Sequence, residues 1–143
     1  MVFKFLKNAS DNFFCNILGL SLDTCKTKNF KNFYCSKISI YQNQIEYNAL
    51  FLLKKDTINL IGKNLLFEDN LDENAFVDLL KETANLIGGT AKTMIEEFDP
   101  DSLYELSTPE YIGFIKDLKE INLSYYNASK INNRCFVIGI EEI

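Results

Sequence analysis

The chain has 143 residues, 47% of them hydrophobic and 24% charged, the balance of a soluble globular protein with one domain and a core of its own. Its formal net charge is −5, and Arg134 is its sole arginine. Scattered lysines on an acidic chain argue against nucleic-acid binding, which needs clustered cations against phosphates, and against anionic membranes.

No apolar run approaches the ~20 residues a membrane helix needs. The stretch Met1–Lys7 is too short for a signal h-region and runs into Asn8, Ser10 and Asp11. The expected location is therefore cytoplasmic. There are no histidines, so the commonest general base and metal ligand is missing. Cys15, Cys25, Cys35 and Cys135 form no Cys-x-x-Cys pair. They read as small buried hydrophobes in a reducing compartment. Chemistry must then come from carboxylates, amides, hydroxyls or lysines, and no metal site is expected.

Residues 2–20 carry Phe3, Leu6, Phe13, Phe14, Ile17 and Leu18 near helical spacing, with Gly19 as a stop. A short strand is expected within 21–26. Residues 34–41 alternate, a polar Gln42-Asn43-Gln44 turn follows, and Ile45, Tyr47, Ala49, Phe51 and Leu53 share one face of a second strand. Asp56 or Thr57 can cap a helix running to Leu66. A longer helix spans about 71–98, capped by Asn70 with Glu73 as a capping box, or by Asp72. Strands are expected at 103–107 and 112–115. A hairpin of 121–126 and 135–140 would close around Asn132-Asn133. This order predicts an α+β fold, a largely antiparallel sheet with helices packed on one face.

The long helix carries the functional signal. At about 100° per residue, Phe76, Leu80, Ala84, Ile87, Ala91, Met94, Ile95 and Phe98 fall on one apolar arc. Opposite runs a stripe of Asp78, Glu82, Asn85, Gly89, Lys92 and Glu96. Glu82 and Asn85 are neighbours on that face. Gly88-Gly89 in mid-helix costs ~1 kcal/mol per glycine relative to alanine. A bare backbone at Gly89 permits close approach of another body. A plain solvated face, with Gly88 letting another helix pack closely, accounts for the same residues.

The segment 81–92, Lys-Glu-Thr-Ala-Asn-Leu-Ile-Gly-Gly-Thr-Ala-Lys, resembles the signature of the CheC/CheX/FliY chemotaxis phosphatases. It matches at Glu82, Asn85, Leu86, Ile87, Gly89, Ala91 and Lys92, and departs at Lys81, where a glycine is frequent. Ser107-Thr108-Pro109, followed by Gly113, fits the family's strand ending in Thr-Pro. The likeness covers about residues 45–113. CheC-like members carry a second Glu-x-x-Asn on the first helix. Here Phe13 stands three before Asn16, so the chain is more similar to CheX.

The resemblance implies dephosphorylation of the phosphoaspartate of a CheY-type response-regulator receiver. Asn85 would orient the attacking water, since an amide both accepts and donates. Glu82, a carboxylate, would pair with the receiver's lysine. Asp78, Gly89 and Lys92 would contact the partner. The chain needs no cofactor of its own, because Mg2+ is expected on the receiver. A homodimer through a sheet edge is also implied. Two other readings remain open: a non-catalytic module docking on a receiver or flagellar-switch protein, and a structural domain pairing its edge strand with itself.

Overall fold

The computed structural model describes residues 1–26 and 30–142. α1 spans Val2–Asn12 and continues as a π-helical turn, Phe13–Ile17. Val2, Leu6, Ala9 and Phe13 recur every three or four positions and are buried, which is why this segment is a helix lying on the sheet. The helix ends before Leu20, the expected limit. Leu18 N–H donates to Phe13 O, and Gly19 turns the chain at φ 69°.

Seven strands form one sheet in the order β1-β6-β7-β3-β2-β4, with β5 also on β2, and every pairing is antiparallel. β2 (Lys31–Gln42) starts earlier than the alternation suggested; β3 (Ile45–Leu53) lies where expected. Gln42 pairs with Ile45 across the turn, where Asn43 takes φ 55°. β6 (Tyr125–Ile131) and β7 (Arg134–Glu142) form the C-terminal hairpin. Its two-residue loop is Asn132-Asn133, both left-handed at φ 47° and 63°, the conformation that suits the twist of paired strands. β1 is only Asp23–Thr24 and β4 only Glu105–Leu106, shorter than expected. β5 (Glu110–Asp117) is longer, with a register shift where Gly113 adopts φ 121°.

α2 is Lys55–Leu66 and α3 is Glu73–Phe98. Asp72 caps α3, its Oδ1 accepting from Ala75 N–H at 2.8 Å, which decides between the two candidate caps. Neither Asp56 nor Thr57 caps α2. Both lie inside its first turn, Lys54 holds the cap position without a side-chain bond, and Asp56 instead pairs with Arg134 at 3.1 Å.

The three helices share one face of the sheet. Ile38, Ala49, Phe51, Leu53, Phe136 and Ile138 pack against Leu80, Ala84, Ile87 and Ala91 of α3 and the aromatic pair Phe13–Phe14. The opposite face is also covered, by a single 3-10 turn, Leu118–Glu120, and the chain that follows it. Phe33, Cys35, Leu50, Leu52 and Val137 are roofed by Phe30, Leu118, Ile121 and Leu123. Residues 121–124 are thus roof rather than the expected strand. A Cβ on Gly139 would stand 2.6 Å from Leu123 Cδ1, so glycine is what lets the roof sit down.

The cysteine expectation needs correction. Cys25 and Cys135 form a disulfide with Cα atoms 5.6 Å apart and 110 residues between them in sequence. Cys15 is exposed, and only Cys35 is the buried thiol foreseen. Partners so distant in sequence leave no spacing signal; the fold alone brings them together.

Gly88 seats α3 on the sheet. A Cβ there would approach Ile38 Cγ2 to 2.9 Å, so this glycine serves contact with β2, not with another helix. Replacing Gly88 with Leu should lower stability by about 1–3 kcal/mol through overpacking, read from the urea midpoint.

Candidate functional site

The site is built by the rotation of α3. With Leu80, Ala84, Ile87, Gly88, Ala91 and Ile95 buried, residues on the opposite side must face outward. Asp78, Glu82 and Asn85 are exposed, and Gly89 and Lys92 are half-buried. The buried arc differs from the expected one. Leu79 and Thr83 join it, Phe76 and Met94 are half-buried, and Phe98 is 68% exposed against Phe5. Phe98 is the last helical residue, so less of the molecule lies beneath it.

Among the described residues, Glu82, Asn85 and Asp78 make no side-chain hydrogen bond and no ion pair. One helical turn separates Glu82 from Asn85, which sets their Cβ atoms about 5–6 Å apart. The structure therefore brings these two together as neighbours with free polar ends. Gly89 follows on the same side, and a Cβ there would meet nothing within 4 Å. Internal packing does not demand this glycine, in contrast to Gly88. Lys92 is already engaged, its Nζ 3.0 Å from Glu96 Oε1 on its own helix. A half-exposed pair of this kind is weak and can exchange partners.

On the first helix the corresponding position carries no carboxylate. Phe13 is buried in the core, and Asn16 Nδ2 donates to Asn12 Oδ1 at 2.8 Å. The Thr108-Pro109 step joins β4 to β5, and Ser107 anchors it: its Oγ accepts from Ser39 N–H at 2.9 Å.

Glu82 and Asn85 stand on a convex helix surface, while clefts lie elsewhere, one beside Cys25 and Tyr126. A convex pair with unpaired polar ends cannot enclose a small molecule. It can enter a pocket on something else. Among the described residues, no three His, Cys, Asp or Glu side chains converge on a possible metal position. Sequence reasoning missed how three threonines of α3 satisfy their hydroxyls within the helix: Thr83, Thr90 and Thr93 donate to the carbonyls of Leu79, Leu86 and Gly89. Their spacing of four from those carbonyls was the available signal.

No protein-family model and no curated protein matches the sequence. Solved structures do match, and they define the class of fold: that of the CheX and CheC-like chemotaxis proteins. The chemotaxis protein CheX of Vibrio vulnificus is 17% identical, with a TM-score of 0.81 over 100% of this chain and 97% of that one. A CheC-like protein from Shewanella is 17% identical at a TM-score of 0.72, covering 98% of this chain and 97% of the other. CheX of Borrelia burgdorferi, solved in complex with CheY, BeF3 and Mg2+, is 11% identical at a TM-score of 0.65, over 99% and 97% of the two chains.

Because a Cβ at position 89 would meet nothing within 4 Å, Gly89→Ala should raise stability by about 0.5–1 kcal/mol through helix propensity alone. The urea midpoint, compared with that of Gly88→Leu, separates an open glycine from a packed one.

Proposed function

We propose that this protein is a CheX-like phosphatase that hydrolyses the phosphoaspartate of a CheY-type receiver domain. The observation that carries this reading is the pair Glu82 and Asn85, adjacent, exposed and unpaired on α3 of a CheX-like fold. The Borrelia CheX bound to CheY with BeF3 and Mg2+ supports a receiver as the partner class.

Phosphoryl transfer asks little covalent chemistry of a protein. The main contribution available is to hold a water in line with the leaving oxygen. Asn85, inserted beside the acyl phosphate, would bind that water through its amide oxygen. Glu82 would pair with the receiver's lysine and fix the helix in register. The bare Gly89 backbone would admit the receiver's main chain, with Asp78 and Lys92 contacting its surface. Lys92 would have to leave Glu96 to do so. The receiver brings Mg2+, which neutralises phosphoryl charge, so this chain needs no metal ligands. Receivers are phosphorylated in the cytoplasm, and the protein would act there. No described helix is long and apolar enough to cross a membrane.

A homodimer through β5 belongs to the same proposal. Ile112 and Phe114 are 45% and 52% exposed on this strand, which among the described residues pairs only with β2. An unpaired edge with exposed apolar side chains favours pairing with another strand. Ile112→Lys should then convert a dimer into a monomer in sedimentation at micromolar concentration.

Asn85→Ala should slow phosphate release from a phosphorylated receiver ~100-fold, as loss of a polar catalytic group does. Glu82→Lys should weaken complex formation as well, read by titration against the receiver. If Asn85→Ala turns over phosphoreceiver at the wild-type rate, the enzymatic reading is wrong, and a docking module without catalysis takes its place.

A further inference from the structure

The edge of the sheet away from β5 is held by a strand of only two residues. Asp23 pairs with Lys130 and Thr24 with Ser129, and both β1 residues are exposed. The next residue is Cys25, which bonds to Cys135 at the start of β7, on the far side of β6. The disulfide therefore does what two ladder pairs do weakly: it fixes β1 to the sheet.

Both sulfurs belong to half-buried residues rather than to the core. Cys25 lines an open cleft of about 710 Å3, whose wall also carries Lys26, Lys119 and Asp117, over Tyr126. Two ammonium groups against one carboxylate favour a thiolate approaching Cys25 through this cleft, and Cys25 as a thiolate once it is released. Cys35 differs in kind: burial pushes its thiol up to about 12, so it stays protonated and enclosed at neutral pH. Where glutathione and dithiol proteins keep thiols reduced, a disulfide is transient and responds to redox state. That last step rests on the cytoplasmic placement proposed above; the geometry does not.

We propose that Cys25–Cys135 is a thiol–disulfide exchange site, opened and closed in the folded protein by a protein dithiol and its disulfide, which frees or fixes β1 at the sheet edge. In the opening direction a thiolate of the dithiol attacks Cys25 Sγ from the cleft. The Cys25–Cys135 bond breaks, Cys135 leaves as a thiolate and takes a proton, and a mixed disulfide forms. The second thiol of the dithiol attacks its own sulfur in that bond and releases Cys25. Two electrons and two protons pass to the pair, and the reductant becomes a disulfide. Closing is the reverse.

The test uses the full chain in native buffer and reads two quantities that do not involve phosphate. Alkylation followed by mass spectrometry should find Cys15 labelled in the oxidised protein. After incubation with reduced thioredoxin, Cys25 and Cys135 should be labelled too, with Cys35 still protected. Amide exchange of Thr24 and Ser129 should then accelerate ~10-fold or more, as a locally opened ladder does. Oxidised thioredoxin-class disulfide should restore both. Cys135→Ser should show fast exchange under all conditions. Should that variant fail to fold, the reduced wild type gives the same reading, and Cys15→Ser keeps the third thiol out of it. A bond that resists the dithiol until denaturant is added, or exchange at Thr24 and Ser129 that ignores reduction, overturns the proposal. Because neither readout involves phosphate release, its failure leaves the phosphatase reading standing, and failure at Asn85 leaves this one standing.

Discussion

The contact between Gly88 and Ile38 sets the rotation of α3, and the outward direction of Glu82 and Asn85 follows from it. No side chain fits between helix and strand there, since a Cβ would come within 2.9 Å of Ile38 Cγ2. The helix backbone therefore rests on β2, with Ala84, Ile87 and Ala91 filling the flanking space. At about 100° per residue, a shift of one position would carry the Glu82–Asn85 stripe far round the helix. A close-packed interior admits no intermediate setting.

This seating explains why the candidate site is a convex one. A pocket needs walls from several elements, whereas α3 offers a single rigid face from one helix. It is one continuous 26-residue helix with a bonded N-cap, seated along its length on the sheet. For hydrolysis governed by the position of one water, a stiff support is the useful property. The partner would supply the walls, the phosphoryl group and the metal ion. The lack of histidine then costs nothing, because no general base of that kind enters the scheme.

The two faces of the sheet are built on different principles. One is held by helices whose apolar faces were visible as periodicity. The other is covered by irregular chain around Leu118, Ile121 and Leu123, and by the Cys25–Cys135 bond at its edge. That cover is tied down by backbone bonds from Leu118 N–H to Phe30 O and from Ser124 N–H to Ile140 O, by the close seat at Gly139 and by the covalent link at Cys25.

The amino-acid sequence by itself determined much of the α+β order, the β2–β3 hairpin, the span of α3 and the shared face of Glu82 and Asn85. Each of these follows from local periodicity, from a turn residue or from a cap. It also contained the likeness to the chemotaxis phosphatases, in the run from Glu82 to Lys92. Only the tertiary structure decided what lies between distant segments. Residues 121–124 of the strand expected at 121–126 became a roof, because Ile121 and Leu123 find the apolar far face of β3 and β7, while Tyr125 and Tyr126 open β6. Asp56 turned from a cap into a partner for Arg134, 78 residues away. Cys25 and Cys135, read as isolated small hydrophobes, were joined. Gly88 and Gly89, alike in sequence, separated into a packed glycine and an open one. The reason is common to all four. Periodicity and caps are properties of neighbouring residues, whereas burial, pairing and open space depend on which remote part of the chain folding brings alongside.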